Sequence, residues 1–119
     1  EQALRMAASF GGGIGRMRET CGAACGMFLL AGLEKGAVDG ADKEGKAANY
    51  ALVQELAAEF KKRNGSLNCG ELLGLKKRAE ISSVPEERTE QYYAKRPCVR
   101  MVEEAARIWA EYLENRPSI

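Results

Sequence analysis

Between Ala41 and Asn64 the apolar residues recur at three- and four-residue intervals: Ala48, Leu52, Val53, Leu56, Ala57 and Phe60. That spacing draws one stripe along an α-helix and fits no strand alternation. Asp39 or Asp42 can cap its start. Lys61, Lys62 and Arg63 occupy the last turn, where the helix dipole favours cations, and Gly65 supplies the stop. A long helix with one apolar face needs other helices to cover it, and the rest of the chain reads as their source.

Glu1 to about Ser9 is rich in Ala, Leu and Met and reads as the end of a helix. The run Phe10-Gly11-Gly12-Gly13-Ile14-Gly15 breaks it, because each glycine costs about 1 kcal/mol relative to alanine inside a helix. A second helix is expected from Thr20, a good N-cap, to Leu33, with Phe28, Leu29, Leu30 and Leu33 as a broad apolar face. Gly22 and Gly26 share a side of it, a small-residue stripe that admits a close neighbour. A turn follows over 36–40. Asn68 followed by Glu71 resembles a capping box for a short helix from Cys69 to about Leu73. Ser83-Val84-Pro85-Glu86 predicts another from Pro85 to about Ala94. The last helix opens with Pro97 at its first position and runs to about Asn115. Cys98, Val102, Ala105, Trp109 and Tyr112 form its inward stripe, with Arg100, Glu103, Arg107, Glu111 and Glu114 outside. There is no alternating strand pattern and no internal repeat. The expected fold is all-α: a small bundle of about four main helices plus one or two short ones. It should form a single helical domain over 1–119, with a polar connecting stretch at 75–96 and with Trp109, Phe60, Leu52 and Leu56 in the core.

A chain of 119 residues should bury roughly 65% of its unfolded surface, enough for a core without staples. The net charge is +1. The runs Lys61-Lys62-Arg63 and Lys76-Lys77-Arg78 read as solvated helix ends, so no nucleic-acid partner is expected. The longest apolar run, Cys25 to Leu33, falls far short of the roughly 20 residues of a spanning helix. No signal-peptide pattern is visible. The expectation is a cytoplasmic protein with no membrane partner. Small helical domains readily pair, so a homodimer is among the expected states.

The chain has four cysteines and no histidine. The missing histidine removes Ser–His and Cys–His catalysis and histidine metal sites, and leaves Cys21, Cys25, Cys69 and Cys98 as the candidates for chemistry. Cys21 follows Thr20, Cys69 follows Asn68 and Cys98 follows Pro97, so three cysteines fall in the first turn of an expected helix. Free N–H groups and a positive partial charge there favour thiolate, the nucleophilic and metal-binding form. Cys25 lies one turn beyond Cys21 on the same face, with Cα atoms roughly 6 Å apart, near the long end of disulfide range. The bland alternative is four small buried hydrophobes. As metal ligands, Cys21, Cys25, Cys69 and Cys98 could in principle hold an iron–sulfur cluster or zinc. Their spacing, with 43 and 28 residues separating the later cysteines, matches no tight zinc or ferredoxin pattern. The glycine run lacks the Lys-Ser/Thr of a P-loop and follows no strand, which argues against a nucleotide site. Its simpler role is a tight link between helices. Its sharper role is close backbone approach to the cysteines by Gly11, Gly12 and Gly13, which only glycine permits.

Phe10 to Arg16 with the glycine run, Cys21-Gly22-Ala23-Ala24-Cys25-Gly26, Gly32-Leu33, Phe60, Gly65, Cys69-Gly70-Glu71-Leu72-Leu73-Gly74 and Cys98 together resemble the bacterial C_GCAxxG_C_C family. The likeness covers most of the chain outside 75–96. Cys21, Gly22, Ala23 and Gly26 match its central motif, and Cys69 and Cys98 its two downstream cysteines. The sequence departs twice: no cysteine precedes the glycine run, and Cys25 fills a position the family leaves free. Either a preceding segment carries the further thiol or Cys25 replaces it. The resemblance implies redox activity, by thiol–disulfide exchange or electron transfer with an unknown redox partner protein. It puts iron–sulfur ahead of zinc among possible cofactors, beside the option of none. Cys21, beside the glycine run, is the first candidate for the reactive thiolate. A separate expectation is a partner-binding module in which the cysteines only pack and Tyr92 and Tyr93, within 75–96, make the contact.

Overall fold

The computed structural model describes residues 1–75 and 81–116. The basic run at 76–78 lies outside the described residues. The described residues form an all-α fold with six helices: α1 (Gln2–Ala8), α2 (Gly22–Lys35), α3 (Lys43–Asn64), α4 (Cys69–Leu72), α5 (Glu90–Lys95) and α6 (Cys98–Asn115). None of these helices is long and apolar enough to cross a membrane.

The α3 segment folds as its pattern dictates. The Asp42 carboxylate accepts from the Gly45 N–H at 2.9 Å and caps the helix. Gly65, left-handed at φ 94°, closes it by donating to the Lys61 carbonyl. Leu52, Leu56 and Phe60 are buried, while Ala48, at the solvent end of the stripe, is exposed. Their partners come from α2 and α6, and these three helices pack pairwise into the core. Ala24, Met27 and Ala31 contribute from α2, and Met101, Ala105 and Ile108 from α6. Helix α1, the first of the expected main segments, buries no residue.

Two stripes are rotated from their expected positions. Helix α6 buries Met101 and Ile108, while Val102 is 58% exposed and Trp109 only partly buried, stacked on Tyr112. Both sets share Ala105 and helical spacing. The observed one places the unbranched Met101 and the compact Ile108 against α2 and α3, and leaves the large indole at the margin. Helix α2 buries Ala24, Cys25, Met27 and Ala31 instead of its leucines, leaving Leu33 87% exposed. Alanines at the α2 seam let α3 and α6 approach closely.

Helix ends also shift. Cys21, not Thr20, is the N-cap of α2, because Thr20 is drawn into a bridge with Asn68. Pro97 is the N-cap of α6 and Cys98 its first residue. Helix α5 starts at Glu90, where Thr89 accepts from the Tyr92 N–H at 3.1 Å, and not at Pro85. Glu86, the expected first-turn acid, is engaged instead by Arg16 and Arg96. Two surface ties hold the bundle ends. Arg63 of α3 meets Glu104 and Glu111 of α6, and Arg116, just after α6, meets Glu34 of α2.

Phe60→Ala should cost about 3–5 kcal/mol in urea unfolding, because Phe60 is fully enclosed. Leu33→Ala should change stability by less than about 0.5 kcal/mol. Equal losses at the two positions would contradict this assignment of the core.

Candidate functional site

The site is built on a short backbone pairing, not on the helices alone. Cys21 donates to the Leu67 carbonyl at 2.7 Å, Cys69 to the Glu19 carbonyl at 2.6 Å, and Gly70 to the Arg18 carbonyl at 3.4 Å. With the Thr20–Asn68 bridge, these bonds lay residues 18–21 antiparallel to 67–70. Each strand-like segment runs directly into a helix, so the starts of α2 and α4 are fixed side by side. Asn68 caps α4 by accepting from Glu71 N–H at 2.9 Å. The other half of the expected capping box is altered: the Ser66 hydroxyl takes the Asn68 N–H at 2.9 Å and itself donates to the Glu71 carboxylate.

The glycine run packs against this pairing. Gly12, Gly13, Ile14, Gly15 and Arg16 have consecutive φ values of 67°, 75°, 65°, 58° and 62°. This is a left-handed coil, a conformation that costs non-glycine residues roughly 1–2 kcal/mol each. Backbone bonds hold it, among them Gly15 N–H to Ser9 at 2.6 Å and Glu19 N–H to Gly13 at 2.9 Å. Gly13 is the tight point. A Cβ there would stand 2.5 Å from Cys69 Cβ and 2.8 Å from Arg18 Cα. The sharper role expected for the run is thus realised at Gly13. Gly12 meets its own loop at Arg16, and Gly11 has only ordinary contact. Gly22 admits the Phe10 carbonyl, 2.5 Å from where its Cβ would be, whereas Gly26 has open space beside it. The expected small-residue stripe therefore works at one of its two positions.

All four cysteines are free thiols. Cys21 is half-buried against the core, Cys25 and Cys69 are buried, and Cys98 is exposed. The charges of Cys69 and Cys98 act on Cys21, and that of Cys21 acts on Cys25. The Cys25 thiol leans on the Thr20 carbonyl at 4.0 Å. Arg18 Nη1 donates to Cys69 Sγ at 3.7 Å, a contact the sequence pattern did not single out. Its one sequence signal is its place between the glycine run and Cys21.

The electrostatics reverse one expectation. Burial pushes the Cys21 thiol above its ordinary value, and the charges of Cys69 and Cys98 add to the rise. The Ala23 and Ala24 amides of the first α2 turn pull the other way and are outweighed. Burial likewise raises Cys25, with Cys21 adding to it. Cys21 is therefore a protonated thiol at neutral pH, not the ready thiolate that its helix start suggested. Among the described residues, no group of three or more cysteine, aspartate or glutamate side chains is arranged to hold a metal ion. The ligand set of a cluster or tetrahedral zinc is not assembled in this arrangement.

Gly13→Ala should lower stability by about 3 kcal/mol through left-handed strain plus overpacking on Cys69. Gly26→Ala, in open helix, should raise it by about 0.5–1 kcal/mol. Thermal melts of the pair separate the two roles. The raised thiols also set a pH dependence. An unfolded cysteine ionises near about 8.5 while folded Cys21 and Cys25 stay protonated, so stability is full below that pH and falls as pH rises towards the folded values. Urea unfolding at pH 7 and across pH 8–10 should show this decline, and Cys21→Ser or Cys25→Ser should flatten it. An unchanged slope in both variants would contradict the assigned burial.

No curated protein and no solved structure matches the chain. A family model described as "Putative redox-active protein (C_GCAxxG_C_C)" matches residues 1–112. That span takes in the glycine coil, the paired segments and all four cysteines. The chain belongs to the C_GCAxxG_C_C family of redox-active proteins.

Proposed function

We propose that the chain is a dithiol redox protein that exchanges electrons with a disulfide of a partner, using Cys98 as the accessible thiol and Cys21 as the resolving one. The observation that carries this reading is the pairing of one exposed thiol with a half-buried thiol close enough to sense its charge. Cys98, as thiolate, attacks one sulfur of the partner disulfide and expels the other as a thiolate. Cys21 then loses its proton to solvent and attacks Cys98 Sγ, releasing the partner's second thiolate and leaving an internal Cys21–Cys98 disulfide. Two protein thiols are oxidised, one partner disulfide is reduced to two thiols, and protons and electrons balance.

The raised value of Cys21 suits this order of events. A resolving thiol that stays protonated does not itself react with passing oxidants, since the thiolate is the nucleophile. It acts only when a mixed disulfide is presented beside it, where proximity replaces intrinsic reactivity. Cys69, held by Arg18 and packed against Gly13, shapes the environment of Cys21, and Cys21 in turn that of Cys25. Such thiols are kept reduced in a reducing compartment, which favours the cytoplasm.

The test is stoichiometric. Reduced protein mixed with an aromatic disulfide should release two thiolates per chain and lose the mass of two hydrogens. Cys98→Ser should slow the first release at least about tenfold, and Cys21→Ser should stop at one thiolate with the reagent still attached. If both variants behave as the parent protein does, or if the parent accumulates stable mixed disulfides, the assignment is wrong.

A further inference from the structure

Beside the glycine coil lies a cleft of about 360 Å³, within the usual size of small-molecule sites. Its floor is the coil itself, where Gly11, Gly12 and Gly15 leave the backbone uncovered. Among the described residues four arginines line it, Arg16, Arg18, Arg88 and Arg96, against a single carboxylate, Glu86. Four positive charges less one leave an excess of three in this cleft, in a chain whose whole formal charge is +1.

The guanidiniums are held in place. Arg16 donates to the Ser82 carbonyl at 2.8 Å and lies 3.6 Å from Glu86. Arg96 pairs with the same carboxylate, and its side chain is only 14% exposed. Arg88 and Arg96 both lie over the Tyr92 ring, at 5.0 and 5.1 Å from its centre. Among the described residues neither Arg18 nor Arg88 has a carboxylate partner. Like charges brought together and ordered around an open space repel one another unless an anion shares them. Arginine forks match the paired oxygens of phosphates and carboxylates.

We propose that this cleft binds a small polyanion, a molecule carrying two or more phosphate or carboxylate groups, with Arg16, Arg18, Arg88 and Arg96 as its ligands. The site is independent of the thiol chemistry in its binding step, but Arg18 joins the two. The same guanidinium that faces the cleft donates to Cys69 Sγ, so a bound polyanion competes with that sulfur for Arg18.

The experiment is calorimetric titration of the reduced protein at constant ionic strength. Pyrophosphate and citrate serve as probes of the two oxygen chemistries, and acetate as a monoanionic control. At least one polyanion should bind saturably with one site per chain, acetate should not, and the tighter of the two identifies the class. Arg88→Gln, at an exposed position, should weaken that binding about tenfold or more, while Arg107→Gln on the outer face of α6 should leave it unchanged. Circular dichroism of both variants should match the parent. Absence of saturable binding by either polyanion up to about 10 mM, or equal binding in Arg88→Gln, overturns the proposal. Since no redox step is read, either result leaves the dithiol reading to stand or fall on its own test.

Discussion

The antiparallel pairing of residues 18–21 with 67–70 is the contact on which the site depends. Its backbone bonds bring together two segments that the core would not otherwise align, because α4 contributes nothing to the main hydrophobic cluster beyond Leu72 at its edge. The pairing ends where α2 and α4 begin, so Cys21 and Cys69 are placed by main-chain geometry rather than by side-chain packing. The left-handed coil completes the arrangement. The cost of positive φ at Ile14 and Arg16, and again at Arg18 just after the coil, is tolerated because the chain must fold back tightly enough for Gly13 to touch Cys69. A right-handed turn with side chains could not pass there.

Two opposing effects decide the protonation of Cys21. The open amides and dipole of a helix start are worth about 0.3–1 kcal/mol at a surface site. That is less than one unit of pKa, which corresponds to about 1.4 kcal/mol. Desolvation of a buried group can reach several units. With Cys21 packed against the core beside two further thiols, burial wins. Burial thus keeps Cys21 a thiol, while Cys98 lies exposed at the surface.

Much of the helical layout is readable from residue pattern. The stripe of α3, its Asp42 cap and its Gly65 stop are local signals that nothing in the fold opposes. The cysteines are legible as a group because no histidine competes for their chemistry. Four things were not legible. The phase of α2 and α6 depends on which residues meet across the seam, and Ala24 and Ala31 win over Leu29 and Leu33 because close approach of three helices needs small side chains. The Thr20 cap gave way to a pairing with Asn68, far away in sequence, which no local rule detects. The thiol environment follows from burial, and burial is a property of the packed chain. Arg18 carries only its place between the glycine run and Cys21 as a signal, and that place does not mark it as the donor to Cys69.

The proposed function makes Cys21 and Cys98 a two-electron couple. The most direct measurement is equilibration of the protein in a series of dithiol/disulfide buffers, followed by acid trapping, mass spectrometry and mapping of any bridge. One transition is expected, with the two-electron slope of about 30 mV per tenfold change, from four free thiols to a single internal disulfide joining Cys21 and Cys98. Four free thiols persisting across the whole range of potentials would contradict it.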